Sequence, residues 1–318
     1  MWTFSRWSGR WEFGCLGINR RAYFERCPII CFLISFISSR TIVAPEITFE
    51  DVAYIRNLVR VQAGMVLEQE KTYLVQSRLE PFAKQEGFGS MADLVSSLRQ
   101  TSYGPLHKRV VEAMTVNETS FFRDLLPFQA LKDRLLPEVI QTNRDTKRVH
   151  IWCGASSSGQ EPYSIFLTIL QHFPELTSWH IRLIATDISQ EMVRRGQEGR
   201  YGPFEVNRGL SPLMLKTYFS QEGMEWQIRD DVRDRIEFYE MNLTGLWLVL
   251  PPMDLVFMRN VMMYFDMETR KDILRRIRGI LAPHGYLILG ATETTLAVDD
   301  HFERVPVNGT TVYRIKKD

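Results

Sequence analysis

Asn117-Glu118-Thr119-Ser120-Phe121-Phe122-Arg123-Asp124 sets two small polar side chains, two adjacent aromatics and an arginine close together, just after a helix-like segment. Phe121 and Phe122 suit an ordinary core. Asn117, Thr119 and Arg123 suit something else. A donor, an acceptor and a fixed positive fork at two- and four-residue spacing fit a site that holds a polar ligand and a carboxylate. The same residues also fit a capped helix start, because small polar side chains serve as N-caps.

A second chemical stretch runs from an apolar strand, Val149-His150-Ile151-Trp152, through the Gly/Ser-rich turn Gly154 to Gly159, into a helix with Pro162 in its first turn. Two glycines let backbone approach a ligand, and a helix N-terminus favours negative charge. A P-loop needs Lys and then Ser or Thr after the second glycine; Gln160-Glu161 stand there instead. The GxGxxG spacing of a dinucleotide loop is absent. What is left puts Glu161 beside the ligand, which suits an ammonium-bearing amino acid with a sulfonium, or simply an acidic first turn. Asp187 ends the next strand, where a carboxylate can accept from both hydroxyls of a ribose or cap the helix that begins near Gln190. With Gly154, Gly159 and Glu161 upstream the ribose role is favoured. Leu255-Val256-Phe257-Met258 leads into Arg259, Asn260 and Tyr264, at the strand end where open α/β sheets bind ligands.

Five segments now stand in order: Asn117 to Arg123, Trp152 to Ser164, Ala185-Thr186-Asp187-Ile188, Phe238 to Leu243, and Arg259-Asn260-Val261-Met262-Met263-Tyr264-Phe265. Together they resemble the chemotaxis receptor glutamate O-methyltransferases, the CheR family, over roughly residues 48 to 316. The resemblance implies S-adenosylmethionine as cofactor, with Asp187 on its ribose and Asn242 and Leu243 flanking the adenine. It implies that Asn117, Thr119, Arg123, Gly154, Glu161, Arg259 and Asn260 complete the pocket. The implied substrate is the cytoplasmic helical bundle of a chemoreceptor. A glutamate acceptor is already ionised at neutral pH, so no general base is required. Arg123 and Tyr264 are then the expected catalytic residues, holding the acceptor rather than activating it. Cys153, where the family usually has a small residue, and Gln160, in place of a common Glu, are mild departures. Leu250-Pro251-Pro252-Met253 lacks the flanking polar and aromatic residues of amine-methylating enzymes. Two alternatives remain: a methyltransferase of the same fold acting on a small carboxylate, and a non-catalytic cofactor sensor.

The elements must place these residues together. Helical periodicity fills Thr48 to Met114, with Val52, Ile55, Leu58 and Val59 on one face. Strands and helices alternate from Arg148 onward. The expected fold is α/β: a doubly wound Rossmann-like methyltransferase sheet, an N-terminal all-helical domain and a small antiparallel β insert. The domains are placed at 45–125 and 126–318, with the insert at about 218–240, formed by Trp226-Gln227-Ile228 and Ile236 to Tyr239. Family members that dock a receptor-tail pentapeptide on this insert carry a longer loop than Ser220 to Met224, so tight pentapeptide binding is not expected. Lys71, Arg78 and Lys84 form either a solvated face or a basic surface for an acidic helical substrate.

The 318 residues allow one large domain or two ordinary ones. With 45% hydrophobic and 24% charged residues and a net charge of +1, no global field draws the chain to nucleic acid. The four cysteines form no CxxC pair, so neither a metal site nor a disulfide framework is expected. A cytoplasmic monomer fits. Residues 1–44 differ: arginines precede the short apolar run Pro28 to Ile37, read as an unstructured extension, a membrane tether or a secretion signal.

Overall fold

The computed structural model describes residues 47–316, so the expectations for residues 1–44 lie outside the described part. Helix α1 (Phe49–Ala63) starts in a capping box: Thr48 Oγ1 accepts from Asp51 N at 3.2 Å, and Asp51 accepts from Thr48 N at 3.1 Å. Gly64, at φ 69°, ends it. Three helices follow, α2 (Thr72–Gln85), α3 (Met91–Gln100) and α4 (Pro105–Ala113). Their buried faces (Val52, Ile55, Val59; Val75, Leu79; Leu94, Leu98; Val110) meet in one apolar cluster.

After the 117–125 segment comes a helical run: α5 (Leu126–Ala130), a π turn (Leu131–Leu135) and α6 (Leu136–Thr142). Pro137 has no N–H for the carbonyl one turn back, which accounts for the wider turn before it.

The central sheet has the order β6-β2-β1-β7-β8-β10-β9. Strands β1 (Arg148–Gly154), β2 (His180–Asp187), β6 (Ile236–Glu240), β7 (Met253–Met258) and β8 (Leu281–Leu289) are parallel. At the far edge, β10 (Thr310–Ile315) runs antiparallel to both β8 and β9 (Phe302–Val307). Alternation sorts the side chains cleanly. Ile151, Cys153, Leu255, Phe257 and Ile288 face the layer with α7 (Gln160–His172) and α6. Trp152, Val256, Met258 and Leu287 face the layer with α12 (Met267–Ile280) and join the apolar cluster of helices α1 to α4.

Between β2 and β6 lie α8 (Gln190–Glu198), α9 (Pro203–Asn207), α10 (Pro212–Tyr218) and a second sheet of order β3-β5-β4. Its strands are β3 (Arg200–Tyr201), β4 (Phe219–Glu222) and β5 (Glu225–Ile228); the short helix α11 (Asp230–Arg233) follows. The expected antiparallel insert is therefore present with different strands. Trp226 to Ile228 pairs with Phe219 to Glu222, while Ile236 to Tyr239 pairs in parallel with β2 as the edge of the main sheet.

Candidate active site

The chain proceeds from β1 outward through β2 to β6, then returns to β7 on the other side of β1. The carboxyl ends of β1 and β7 thus form a topological switch point, where open α/β sheets leave a crevice. A cleft lies there, lined by the sheet ends and by Ala63, Met65 and residues of the 115–123 segment.

The structure brings Asn117, Thr119, Arg123, Glu161, Asp187, Asn242, Leu243, Arg259, Asn260 and Tyr264 to the wall of this one cleft. Gly154 is not on the wall. A β-carbon at Gly154 would overlap the Met258 methyl and lie 3.0 Å from its sulfur, so its bareness serves packing between β1 and β7.

The loop after β1 passes through left-handed backbone at Ala155 (φ 54°), Ser157 (φ 49°) and Gly159 (φ 95°). Ser156 N donates to Thr186 O at 2.9 Å and Ser157 N to Asp187 Oδ2 at 2.7 Å. Ser189 N donates to Asp187 Oδ1 at 2.9 Å. The buried carboxylate of Asp187 is held at both oxygens, and each oxygen keeps an acceptor lone pair. Burial pushes its pKa up from 3.8, partly offset by the backbone N–H groups of Ser189 and Ser157. Ser156 Oγ, also on the wall, is buried without any partner among the described residues.

Arg259 is the buried cation of the site, with its side chain 1% exposed. It pairs with Glu161, donates to Asp124 Oδ2 and to Arg123 O at 2.9 Å each, and lies over the Phe128 ring at 5.7 Å. A guanidinium so committed is a clamp: it ties the first turn of α7 to the backbone carrying Arg123. Glu161 also accepts from Cys153 Sγ at 3.2 Å. Burial, with Glu161 adding to it, pushes the Cys153 thiol well up, so it stays a neutral donor. Gln160 is engaged as well, accepting from Ser158 Oγ at 2.9 Å and donating to Glu205 at 3.3 Å.

Arg123 Nη1 donates to Glu118 O at 2.8 Å, and the residue lines the cleft. Tyr264 stands in a 3₁₀ turn, Met262–Tyr264. Burial raises the phenol above 10, against the opposing pull of Arg123 and Arg78, so it remains protonated at neutral pH. The aromatic pair divides as the core reading expects. Phe121 is buried edge-on against Tyr201 at 5.0 Å and Phe219 at 5.7 Å, and Phe122 rests on Phe128 at 5.2 Å.

Two expected residues do something more structural. Asn242 Nδ2 donates to Gln62 O at 2.6 Å, and its Oδ1 accepts from Thr244 N and Oγ1, so this amide pins the β6 exit to the end of α1. Arg78 is not a free surface cation. Its Nη1 caps the end of α4 through Met114 O (2.5 Å) and Thr115 O (3.0 Å). Lys84 is exposed. Sequence reasoning passed over Ser156, Ser157, Met65 and Glu293. The serines were legible as hydroxyls in a glycine-bracketed loop, whereas Met65 and Glu293 reach the site only through tertiary pairing, at the bridge Met65↔Phe265 and at Asn260 N. Among the described residues no group of His, Cys, Asp and Glu is arranged to hold a metal ion, and no helix is long and apolar enough to cross a membrane.

A mostly parallel doubly wound sheet, a buried carboxylate at the end of β2 and a cleft at the switch point make an α/β fold of the nucleotide-ligand-binding type. Comparison with known proteins narrows the class. The family model "CheR methyltransferase, SAM binding domain" matches residues 117–311, and "CheR methyltransferase, all-alpha domain" matches residues 50–115. The chain is 41% identical over 271 residues to Chemotaxis protein methyltransferase 1 of Pseudomonas aeruginosa, covering 84% of this chain and 98% of that protein. It is 38% identical over 271 residues to Chemotaxis protein methyltransferase Cher2 of Pseudomonas putida, with the same coverage. It is also 38% identical over 276 residues to a Chemotaxis protein methyltransferase of Vibrio parahaemolyticus, covering 85% and 99%. The chain belongs to the CheR methyltransferase family.

Proposed function

We propose that this methyltransferase esterifies glutamate side chains on the cytoplasmic helical bundle of chemoreceptors, with Arg123 and Tyr264 as the catalytic residues. The observation that carries the reading is the convergence of Arg123 and Tyr264 on the same cleft as Asp187. The cleft fits S-adenosylmethionine chemically. Asp187 offers two acceptors, Ser156 Oγ is a buried hydroxyl without a partner among the described residues, and Met65, Ile188, Met241, Leu243 and Phe265 supply an apolar slot.

Bound there, the cofactor supplies an electrophilic methyl group on a positive sulfur. The protein's part is positioning. Asp187 accepts from the ribose hydroxyls, and Asn117, Thr119, Glu161, Arg259 and Asn260 shape the remaining wall, Glu161 and Arg259 by fixing each other. Arg123 presents a planar fork to one oxygen of the incoming carboxylate and leaves the other free to react. The Tyr264 phenol donates to the same group. Since the acceptor arrives ionised, neither residue needs to remove a proton. The helical region 45–125 is the substrate-facing domain, with the methyltransferase domain at 126–318. A tethering pentapeptide from a receptor tail does not bind tightly to the β4–β5 hairpin.

Incubation of the full chain with methyl-labelled cofactor and receptor-containing membranes tests the reading. Base-labile methanol released from the receptor band is the expected outcome. Label confined to a small molecule, or cofactor binding without transfer, would refute it.

A further inference from the structure

We infer that Glu293 is a positioning residue for methyl transfer, its carboxylate fixing the Asn260 turn that leads to Tyr264. The inference rests on the methyl-transfer reading of the cleft. Glu293 follows β8 in a turn closed by its own N–H on Gly290 O at 2.9 Å. Its Oε2 accepts two backbone donors, Gly290 N at 2.7 Å and Asn260 N at 2.8 Å. One oxygen thereby joins the carboxyl ends of β7 and β8.

Three further observations mark the arrangement as built. Asn260 sits at φ 58°, left-handed backbone that asparagine tolerates better than most residues and that the Glu293 contact holds in place. Gly290 has no side chain where one would not fit: a β-carbon there would lie 2.7 Å from Glu293 Oε2, 2.8 Å from Asn260 Nδ2 and 2.9 Å from Asn260 N. The other carboxylate oxygen, Oε1, is buried with no partner among the described residues. A buried carboxylate left half-satisfied is costly, and such exceptions in native folds accompany function.

The consequence falls on the acceptor end of the cleft. Asn260 opens the turn in which Tyr264 N donates to Val261 O at 3.1 Å. Removing the carboxylate orphans Asn260 N and Gly290 N and frees that turn to relax. Asn260 also shapes part of the cofactor's wall, so affinity shifts somewhat, whereas Asp187 and its partners Ser157 and Ser189, on β2 and the loops after β1 and β2, share no bond with Glu293. Turnover therefore depends on Glu293 more than cofactor affinity does.

The test uses the full chain with Glu293→Ala, Glu293→Gln and Gly290→Ala. It measures kcat for receptor methylation and, by calorimetry, Kd for S-adenosylhomocysteine. Glu293→Ala is expected to lower kcat by roughly 10²-fold, the scale of a misplaced catalytic group, while Kd weakens less than about threefold. Glu293→Gln keeps an oxygen for both N–H groups and should recover kcat to within about fivefold of wild type. Gly290→Ala should follow Glu293→Ala while leaving the carboxylate in the chain. The inference is overturned if Glu293→Ala turns over normally, or if Kd weakens as much as kcat falls and Glu293→Gln restores neither. A wild-type chain without turnover would overturn the methyl-transfer reading along with it, whereas a normal wild type beside an undiminished Glu293→Ala overturns this inference alone.

Discussion

At the scale of single residues, the site separates groups that face the cleft from groups that hold others in place. Arg123 and Arg259 illustrate the division. Arg259 spends its guanidinium on Glu161, Asp124 and the Arg123 carbonyl, and Arg123 spends one donor on Glu118 O. Arg123→Ala should therefore reduce kcat by about 10²-fold, with Kd for S-adenosylhomocysteine changed by only a few-fold. Paired single-turnover and calorimetric measurements check this, and an unaltered turnover number would remove Arg123 from the mechanism. Asp187 carries a pH prediction. Its folded-state pKa lies above the ordinary 3.8 because of burial, so ionising it costs native stability at neutral pH, and that cost disappears as the pH falls through the raised value. Product affinity moves the other way, since only the ionised group offers full acceptor capacity to a ribose. Kd measured on acidification should weaken at a pH above the range of an exposed aspartate. Asp187→Asn should bind weakly and lose that dependence.

Among whole elements, the parallel strands and the helices between them were legible because their signals are local: apolar runs for β1, β2, β7 and β8, a proline in the first turn for α7 and an amphipathic stretch for α12. The positions of most cleft-lining residues were legible because they follow strand ends. What failed was pairing. Ile236 to Tyr239 alternates like any half-exposed strand, and only the fold reveals that its neighbour is β2 and not Trp226 to Ile228. Phe302–Val307 was missed although Asn308-Gly309, both at positive φ, gives the strongest short hairpin signal available. The β4–β5 hairpin, now placed, closes through Gly223 and Met224 alone, with Glu222 opposite Glu225. Glu222 is ion-paired with Arg200 at 2.8 Å, and the two-residue turn leaves a short tip that offers little edge to an added strand. Titration with a synthetic receptor-tail pentapeptide should give no saturable signal up to about millimolar concentration, the scale of very weak association; micromolar binding would contradict this.

Taken as a whole, the molecule closes its cleft by sewing helices to sheet. Val66 N donates to Tyr264 O at 2.8 Å, Asn242 holds Gln62 O, Ser157 Oγ holds Asn117 O at 2.8 Å, and Lys108 pairs with Glu240 at 2.7 Å. A ligand occupying the cleft stabilises the stitched state by mass action, about 2.7 kcal/mol at a hundredfold excess over Kd. Amide exchange at Val66 should then slow about 100-fold with S-adenosylhomocysteine at that excess. An unchanged rate at Val66 would mean that the ligand leaves without parting the two walls.

The Met65↔Phe265 bridge carries a lesson for anyone building chimaeras. A helical half transplanted from a relative brings its own Met65, Gln62 and Lys108 counterparts, yet must meet Phe265, Asn242 and Glu240 of the recipient. The Met65 and Gln62 contacts are made through backbone atoms of the helical half and survive such a graft, whereas the Lys108–Glu240 pair needs the right side chain on both sides, so position 240 is best exchanged together with the helical half.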